Sequence, residues 1–292
     1  MELTREMIGA FQNYLYEQEK SKATIEKYIR DLNKFYRFLA DEMSVTKEKM
    51  ICFKKELVER YQISSVNSIL AAVNHFLQYI GLSNCKVKQV KMQRQMFRGK
   101  EEELTKEEYQ RLVKAARKTE NDRICLLMQA ICTTGIRVSE HKFITVEAVM
   151  EGFLKIYNKG KSRIVFLPKN LRKELSAYCR KKEIKSGPVF ITRGGKPMNR
   201  SNIWSEMKAL CMRAGVERNK VYPHNLRHLF AYTFYEIEKD LLRLADVLGH
   251  SNINTTRIYT VSDGMEHRRI MAKLELVLKN TGRIITESKL CS

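Results

Sequence analysis

The sequence predicts a mainly α-helical protein: a small N-terminal four-helix domain, then a larger C-terminal domain of mixed helices with a small three-stranded antiparallel sheet. Through most of the 292 residues, apolar side chains recur at the three-to-four-residue spacing of amphipathic helices. The chain has only four prolines, and 30% of its residues are charged, which suits a helical globular protein. Only residues 145–167 change to the alternating pattern that is typical of strands.

Four amphipathic segments fill the N-terminal region. Two of them, "LTREMIGAFQNYLYEQ" and "SKATIEKYIRDLNKFYRFLADE", place apolar residues on one helical face. A third covers residues 46–60. The fourth starts near Ser65 and ends at Gly81, a residue type common just after helix ends. Because each helix has an apolar face to bury, residues 1–83 are expected to form one small bundle.

The net charge of +21 indicates a polyanionic partner. Nucleic acid is favoured, because each phosphate contacted by Lys or Arg releases condensed counterions. An anionic membrane is the alternative, but no apolar run approaches the ~20 residues that span a bilayer, and the N-terminus lacks the apolar core of a signal peptide. The seven cysteines are scattered without a CxxC pair, which is typical of a reduced cytoplasmic protein without a disulfide framework or zinc site.

A basic linker, residues 84–103, separates the two predicted domains. Up to residue 100 it contains six Lys or Arg and no acid. A charge run of this kind is usually a solvated segment, but it can also cross a phosphate backbone, and the two interpretations are compatible. Its candidate DNA contacts are Lys86, Lys88, Lys91, Arg94, Arg98 and Lys100.

The second predicted domain covers residues 104–292. It opens with Thr105 and Glu108, whose spacing predicts a capping box at a helix start. The alternating stretch predicts the sheet, with "NKGK" as its last hairpin turn and Pro168 as its end. Further helices are predicted near residues 121–135, 169–183, 201–214, 224–236, 240–248 and, as a C-terminal tail helix, 264–280.

Four separated stretches carry the polar residues that could perform chemistry. They are "TTGIRVSE" with Arg137 and Glu140, "NKGKSR" with Lys159, Lys161 and Arg163, "PHNLRHLF" with His224, Arg227 and His228, and "LGHSNINTTRIYT" with His250 and Tyr259. Taken singly, each has an ordinary explanation: a surface ion pair, a solvated loop tip, a core histidine and a packing tyrosine.

Together these residue types suit phosphoryl transfer without a metal. Arginine presents a planar fork that matches phosphate oxygens, and two such forks can neutralise the charge of a five-coordinate phosphorus. Histidine carries protons near neutral pH. Lysine can protonate a leaving oxygen, and a tyrosine beside cations can be a covalent nucleophile. None of the stretches offers the paired carboxylates of a metal-dependent route, so neither metal nor cofactor is expected.

The order of these residues resembles that of the tyrosine recombinase, or phage integrase, family, including Xer-like recombinases. "TGIRVSE" resembles the first arginine box, "HNLRH" the His-x-x-Arg box, and "LGHSNINTTRIYT" the closing box with its nine-residue His-to-Tyr spacing. The segment "KATIEKYIRDLNKFYRFL" is similar to the core-binding, SAM-like domain of that family. The resemblance covers nearly the whole chain.

The resemblance implies a role for each residue. Tyr259 would attack the scissile phosphate and form a 3′-phosphotyrosyl link without metal or ATP. Arg137 and Arg227 would hold the phosphate, and His224 and His250 would bind it and assist proton transfer. Lys159 would be the general acid, with Lys161 as the alternative because the hairpin is one residue shorter than usual. The remaining predicted residues are Glu140, expected to be a buried support for the His-x-x-Arg helix, His228 in a similar supporting position, and Lys161 and Arg163 as DNA contacts.

The family also implies double-stranded DNA carrying a core recombination site as the partner. A homo-oligomer on DNA, a tetramer in the synapse, and a bacterial cytoplasmic, nucleoid-associated location are expected, with no membrane contact. The amphipathic tail helix is expected to dock on a neighbouring protomer. Two alternatives remain at this point: a type IB topoisomerase with the same chemistry, and an inactive DNA-binding protein of the same fold.

Overall fold

The computed structural model describes residues 2–39, 42–91, 103–158, 161–250 and 252–257. The chain forms two compact units, Met1–Gln95 and Met96–Ser292. Most described residues lie in helices, so the predicted fold class is confirmed apart from the number of strands.

The N-terminal unit is the predicted bundle of four helices. They are α1 (Arg5–Glu17), α2 (Lys22–Leu39), α3 (Lys47–Arg60) and α4 (Ile63–Tyr79). Their apolar faces meet in one core, in which Phe11, Phe35 and Phe76 are fully buried. The predicted end of α4 is confirmed, because Gly81 lies just beyond it with a left-handed backbone, at φ 80°.

Residues 84–91 of the predicted linker pack against the bundle. Asn74 on α4 donates to the Val87 carbonyl at 2.8 Å and accepts from the Val87 amide at 3.1 Å. Asn67, two helical turns earlier, makes the same pair of bonds with Val90 at 2.9 and 2.8 Å. Each asparagine therefore satisfies the backbone of the segment as a neighbouring strand would.

The C-terminal unit is built around α6 (Asp122–Thr134), most of whose side chains are buried. The other helices are α5 (Lys106–Lys118), α7 (Val146–Glu151), α8 (Lys169–Lys181), α9 (Arg200–Ala209), α10 (Cys211–Ala214), α11 (Pro223–Glu238) and α12 (Leu241–Leu248). The capping box at Thr105 and Glu108 is present at the start of α5, as predicted. Pro223 opens α11, as its position in the sequence indicates.

The described residues contain a two-stranded antiparallel sheet, so the prediction of three strands is wrong. Strands β1 (Phe153–Asn158) and β2 (Lys161–Phe166) pair from Phe153 opposite Phe166 to Asn158 opposite Lys161. The stretch just before β1 forms α7 instead of a strand. The Thr145 hydroxyl caps its first turn by accepting from the Ala148 amide at 3.2 Å, and Gly152 ends it at φ 89°.

One further difference concerns a predicted helix, and one predicted helix is not tested. The single helix expected over residues 201–214 is interrupted at Leu210, where α9 gives way to α10. The predicted tail helix, residues 264–280, lies outside the described residues. Within the part of the chain that the structure describes, no helix is long and apolar enough to cross a bilayer.

Candidate active site

The C-terminal end of α12 collects the arginines of two separate boxes. Arg227 of α11 is only 1% exposed. Its Nη1 donates to the Gly135 carbonyl at 2.6 Å, and its Nη2 donates to the Leu248 carbonyl at 2.8 Å. These oxygens lie at the ends of α6 and α12, where helices carry partial negative charge and unsatisfied carbonyls. Two helix ends therefore fix the direction of Arg227.

Arg137 reaches the same end of α12 from the segment after α6. Its Nη2 donates to the Gly249 carbonyl at 3.3 Å, and its Nη1 donates to Glu140 Oε1 at 3.0 Å. The Arg137 side chain keeps 34% of its surface exposed. Of the two arginines, Arg137 is thus the more open to an incoming anion.

His250 lies directly beside Arg227. The Arg227 Nη2 donates to His250 Nε2 at 2.9 Å, and His250 Nδ1 lies 2.8 Å from the Oγ1 of Thr256, which is fully buried. Since a guanidinium can only donate, Nε2 is the accepting nitrogen and Nδ1 carries the proton. Burial lowers the pKa of His250 to about 4, and the charges of Arg227, Arg137, Arg163 and His224 add to this effect. The imidazole is therefore neutral at pH 7.

The other two histidines predicted for the site, His224 and His228, lie on the first two turns of α11. His224 is exposed, whereas His228 is buried with 8% of its surface accessible. Their ring centroids are 4.5 Å apart in an edge-to-face arrangement. His228 is thus a buried ring in contact with His224, and its supporting role stays a prediction.

Glu140 is a buried carboxylate that is shared by two arginines. It accepts from the Arg137 amide at 2.8 Å and from Arg137 Nη1, and it also binds both Nη atoms of Arg163, at 3.2 and 2.7 Å. Burial on its own raises the pKa of the Glu140 carboxyl, but the Arg137 amide and the charges and hydrogen bonds of Arg163 and Arg137 outweigh it and hold the pKa below its ordinary value. Glu140 is ionised at neutral pH.

Two glycines allow the close packing around these groups. Gly135 and Gly249 both have left-handed backbones, at φ 65° and 64°. A Cβ on Gly135 would lie 2.4 Å from the Phe230 ring, and one on Gly249 would lie 2.5 Å from Arg163 Nη1. Only glycine therefore lets the backbone carbonyls at these two positions meet the arginines.

The structure brings together Arg137, Arg163, Arg227, Glu140 and His250, from four separate stretches of sequence. Glu140 was expected to support α11, but its described hydrogen bonds come from Arg137 and Arg163. Lys159, Tyr259, Arg94, Arg98, Lys100 and the side chain of Lys161 lie outside the described residues. Lys86 is half-buried in the N-terminal unit, where Lys88 and Lys91 are exposed.

Sequence reasoning missed the partners that orient these groups. Thr256, the hydrogen-bond partner of His250, sits in a short polar loop between two more conspicuous residues. The Gly135 and Gly249 carbonyls carry no side-chain signal, although a glycine directly before a functional segment is itself a signal for a tight backbone turn. Among the described residues, no group of three or more His, Cys, Asp or Glu could hold a metal ion.

The arrangement can bind a tetrahedral anion. Three guanidinium groups and one carboxylate give the cluster a net positive charge, and planar N–H forks suit phosphate oxygens. The neutral His250 orients Arg227, and the exposed His224, whose charge acts on His250, adds a group that can carry a proton.

The chain is similar in sequence to known protein families over most of its length. The sequence model of the phage integrase family matches residues 102–265, and that of the phage integrase N-terminal SAM-like domain matches residues 8–81. Tyrosine recombinase XerA of Pyrococcus furiosus is 29% identical over 269 residues, which are 88% of this chain and 90% of that protein.

Solved structures share the fold. The pre-cleavage complex of the XerH site-specific recombinase with its difH substrate has a TM-score of 0.67 at 20% identity, over 92% of this chain and 95% of that one. A lambda integrase tetramer bound to a Holliday junction has a TM-score of 0.69 at 15% identity, over 88% and 77% of the two chains. The sequence model of the phage integrase family matches more than half of the residues of this chain, which therefore belongs to that family.

Proposed function

We propose that this chain is a site-specific DNA recombinase that cuts and rejoins strands through a 3′-phosphotyrosyl intermediate, without metal or ATP. The observation that carries the proposal is the direct hydrogen bonding of Arg227 to His250 at the end of α12, where Arg137 also binds. Bringing the charges of these residues together at one place in the fold makes sense if they all bind the same chemical group. A DNA phosphate is the group that their charge and geometry fit.

In this proposal the two arginines stabilise the transition state. Arg137, which is partly exposed, binds one non-bridging oxygen, and Arg227 faces the other from its buried position. Both guanidinium groups are fixed by helix-end carbonyls before DNA arrives, so little reorganisation is needed as charge develops on the phosphate.

The histidines have different roles. With a pKa of about 4, His250 is a poor proton acceptor, and its contact with Arg227 makes it an orienting group. His224 is exposed at the start of α11 and is the better histidine to accept the proton that the Tyr259 hydroxyl loses as it attacks the phosphorus. Tyr259 is the nucleophile, and Lys159, with Lys161 as the alternative, protonates the leaving 5′-oxygen.

The partner is double-stranded DNA carrying a core recombination site. Two proteins of similar fold support this, since one was solved as a XerH complex with its difH substrate and the other as a lambda integrase tetramer on a Holliday junction. By analogy, this chain assembles on DNA as a homo-oligomer, a tetramer in the synapse. Docking of its C-terminal tail helix on a neighbouring protomer stays a prediction from the amphipathic sequence. A cytoplasmic, nucleoid-associated location in a bacterium stays a prediction.

The test uses nicked suicide duplexes that trap a cleaved strand. A covalent protein–DNA complex should form in EDTA on duplexes that contain the recombination site, and Tyr259→Phe should abolish it. A complex that forms equally on any sequence would favour a topoisomerase. Absence of a complex with the unaltered protein, despite tight DNA binding, would favour an inactive DNA-binding protein and overturn the proposal.

A further inference from the structure

Arg163 of strand β2 touches two parts of the candidate site at once. Its Nη1 and Nη2 bind the two oxygens of Glu140 at 3.2 and 2.7 Å, and the Arg163 side chain is 15% exposed. The same guanidinium lies against the backbone of Gly249, because a Cβ at that position would be 2.5 Å from Arg163 Nη1. One side chain thus lies between the carboxylate that holds Arg137 and the residue that precedes His250.

The contact with Glu140 changes the charge that Arg137 offers to an anion. Paired with Glu140 alone, Arg137 would form a neutral pair with little attraction for a phosphate. The second guanidinium leaves the group of Arg137, Glu140 and Arg163 with a net charge of +1. It also occupies one lone pair on each Glu140 oxygen, which limits the positions that Arg137 Nη1 can take.

The contact with Gly249 supports the part of the site that holds Arg137 and His250. The Gly249 carbonyl accepts from Arg137 Nη2, and the next residue is His250, which holds Arg227. A shorter side chain at position 163 would leave a cavity beside the backbone of Gly249. The backbone that carries both contacts would then lose its support.

We propose that Arg163 is a positioning residue for the phosphate-binding arginines, acting through Glu140 and Gly249 and not through DNA. The proposal rests on the recombinase function given above. It differs from the expectation of a direct DNA contact, because both Nη atoms of Arg163 already bind Glu140. Its consequence is that loss of Arg163 slows the chemical step while DNA binding persists.

The experiment measures single-turnover cleavage of a suicide duplex by Arg163→Gln, together with the Kd for the intact duplex. Misplaced catalytic groups cost on the order of 100-fold in rate, so we expect a loss of about that size with a Kd changed less than about twofold. Arg163→Lys should not restore the rate, because one ammonium cannot bind both carboxylate oxygens. Lys155→Gln is the matched control: it removes one exposed charge from the same hairpin and should cleave normally.

A second substrate separates the arginine clamp from the leaving-group acid. In a duplex with sulfur in place of the bridging 5′-oxygen, the P–S bond breaks and a thiolate leaves, which needs no protonation. In the proposal, Arg163 positions the arginines that bind the non-bridging oxygens and does not act on the leaving group. Arg163→Gln should therefore slow cleavage of both substrates by the same factor. Rescue by sulfur would overturn the proposal in favour of a role through the general acid.

Separate controls test whether the variant folds and whether the proposed recombinase function holds. Arg163→Gln leaves Glu140 with fewer partners, so the double variant Glu140→Gln/Arg163→Gln, which buries no unpaired charge, should fold and be as slow as the single variant. Weakened binding with an unchanged cleavage rate would show a direct DNA contact and refute the proposal. If the unaltered protein forms no adduct, the recombinase function fails; if it does and Arg163→Gln cleaves normally, only the positioning role fails.

Discussion

At the scale of single residues, the site is built from side chains that bind helix-end carbonyls. Arg227 joins the ends of α6 and α12, and Arg137 binds the Gly249 carbonyl just beyond α12. A carbonyl dipole orients a guanidinium without removing its charge. A carboxylate in the same place would orient the arginine but neutralise it. The buried carboxylate of this site, Glu140, is shared by two arginines.

Gly135→Ala tests the close approach of backbone and ring at the end of α6. The new Cβ would lie 2.4 Å from the Phe230 ring and 3.1 Å from Leu248 on a backbone with φ 65°. Strain and overpacking together should lower the free energy of unfolding by about 2–4 kcal/mol in urea titrations. Gly215→Ala is the control, since φ is 58° there but no atom lies within 4 Å, and it should lose only about 1–2 kcal/mol. Equal losses would contradict the packing argument.

The lowered pKa of His250 predicts a pH-dependent stability. The unfolded imidazole binds a proton near its ordinary pKa of 6.5, whereas the folded one does so only near 4. Between these values the unfolded state binds more protons, so the free energy of unfolding should fall as the pH drops from about 6.5 towards 4. In His250→Gln this decline should be shallower, as measured by urea unfolding at several pH values. An identical decline in the variant would show that His250 is not its source.

The candidate chemical groups of the site are more visible in the sequence than the residues that support them. The four boxes are visible because arginine, histidine and tyrosine in that order are unusual, and the structure places Arg137, Arg227 and His250 together. The pairing of Arg163 with Glu140 spans 23 residues and depends on how β2 packs, which no local spacing records. For the same reason, backbone partners such as the Gly135 carbonyl cannot be recognised from side chains.

At the scale of elements, capped amphipathic helices were the most predictable features. Thr105 with Glu108, Gly81 and Pro223 each mark a helix end where expected. The segment of α7 was misassigned because its valines and alternating apolar residues favour a strand. Thr145 and Gly152, at the two ends of a single short helix, carried the opposite signal. Capping residues are therefore better evidence than alternation over so few residues.

Asn74→Ala tests how the basic segment after α4 is held. This change removes both hydrogen bonds between Asn74 and the Val87 backbone, leaving a half-buried amide and carbonyl without that partner. We expect a loss of about 1–3 kcal/mol in the free energy of unfolding and faster hydrogen exchange of the Val87 amide. Asn13→Ala, at an exposed position of α1, should change neither. Unchanged exchange at Val87 in Asn74→Ala would show that core packing alone holds the segment.

At the scale of the whole molecule, the excess of positive charge indicates a polyanionic partner. The chain carries 54 Lys and Arg against 33 Asp and Glu, and each of its two compact units has its own buried core. A long basic sequence between two apolar-patterned regions was enough to predict the two-part organisation. The sequence of the DNA site was not predictable, because base readout depends on how individual side chains lie in the grooves.

The excess of positive charge predicts steeply salt-dependent DNA binding. If six to ten phosphates are contacted, affinity should fall by about 10³–10⁵ between roughly 50 and 200 mM salt, measured by fluorescence anisotropy. Lys88→Gln, at an exposed position of the predicted linker, should reduce the salt slope by about 1. Lys181→Gln, whose native lysine pairs with Asp122, should leave the slope unchanged. A shallow slope for the unaltered protein would contradict phosphate-dominated binding.

The proposed recombinase mechanism is tested by identifying the residue that becomes covalently bonded to DNA. The trapped complex is digested with protease and nuclease, and the nucleotide-bearing peptide is sequenced by mass spectrometry. We expect a single 3′-phosphonucleotide on Tyr259, formed in EDTA and lost when Arg137→Ala or Arg227→Ala is introduced. A nucleotide on any other residue, or a link on Tyr259 that forms at the normal rate without those arginines, would contradict this mechanism.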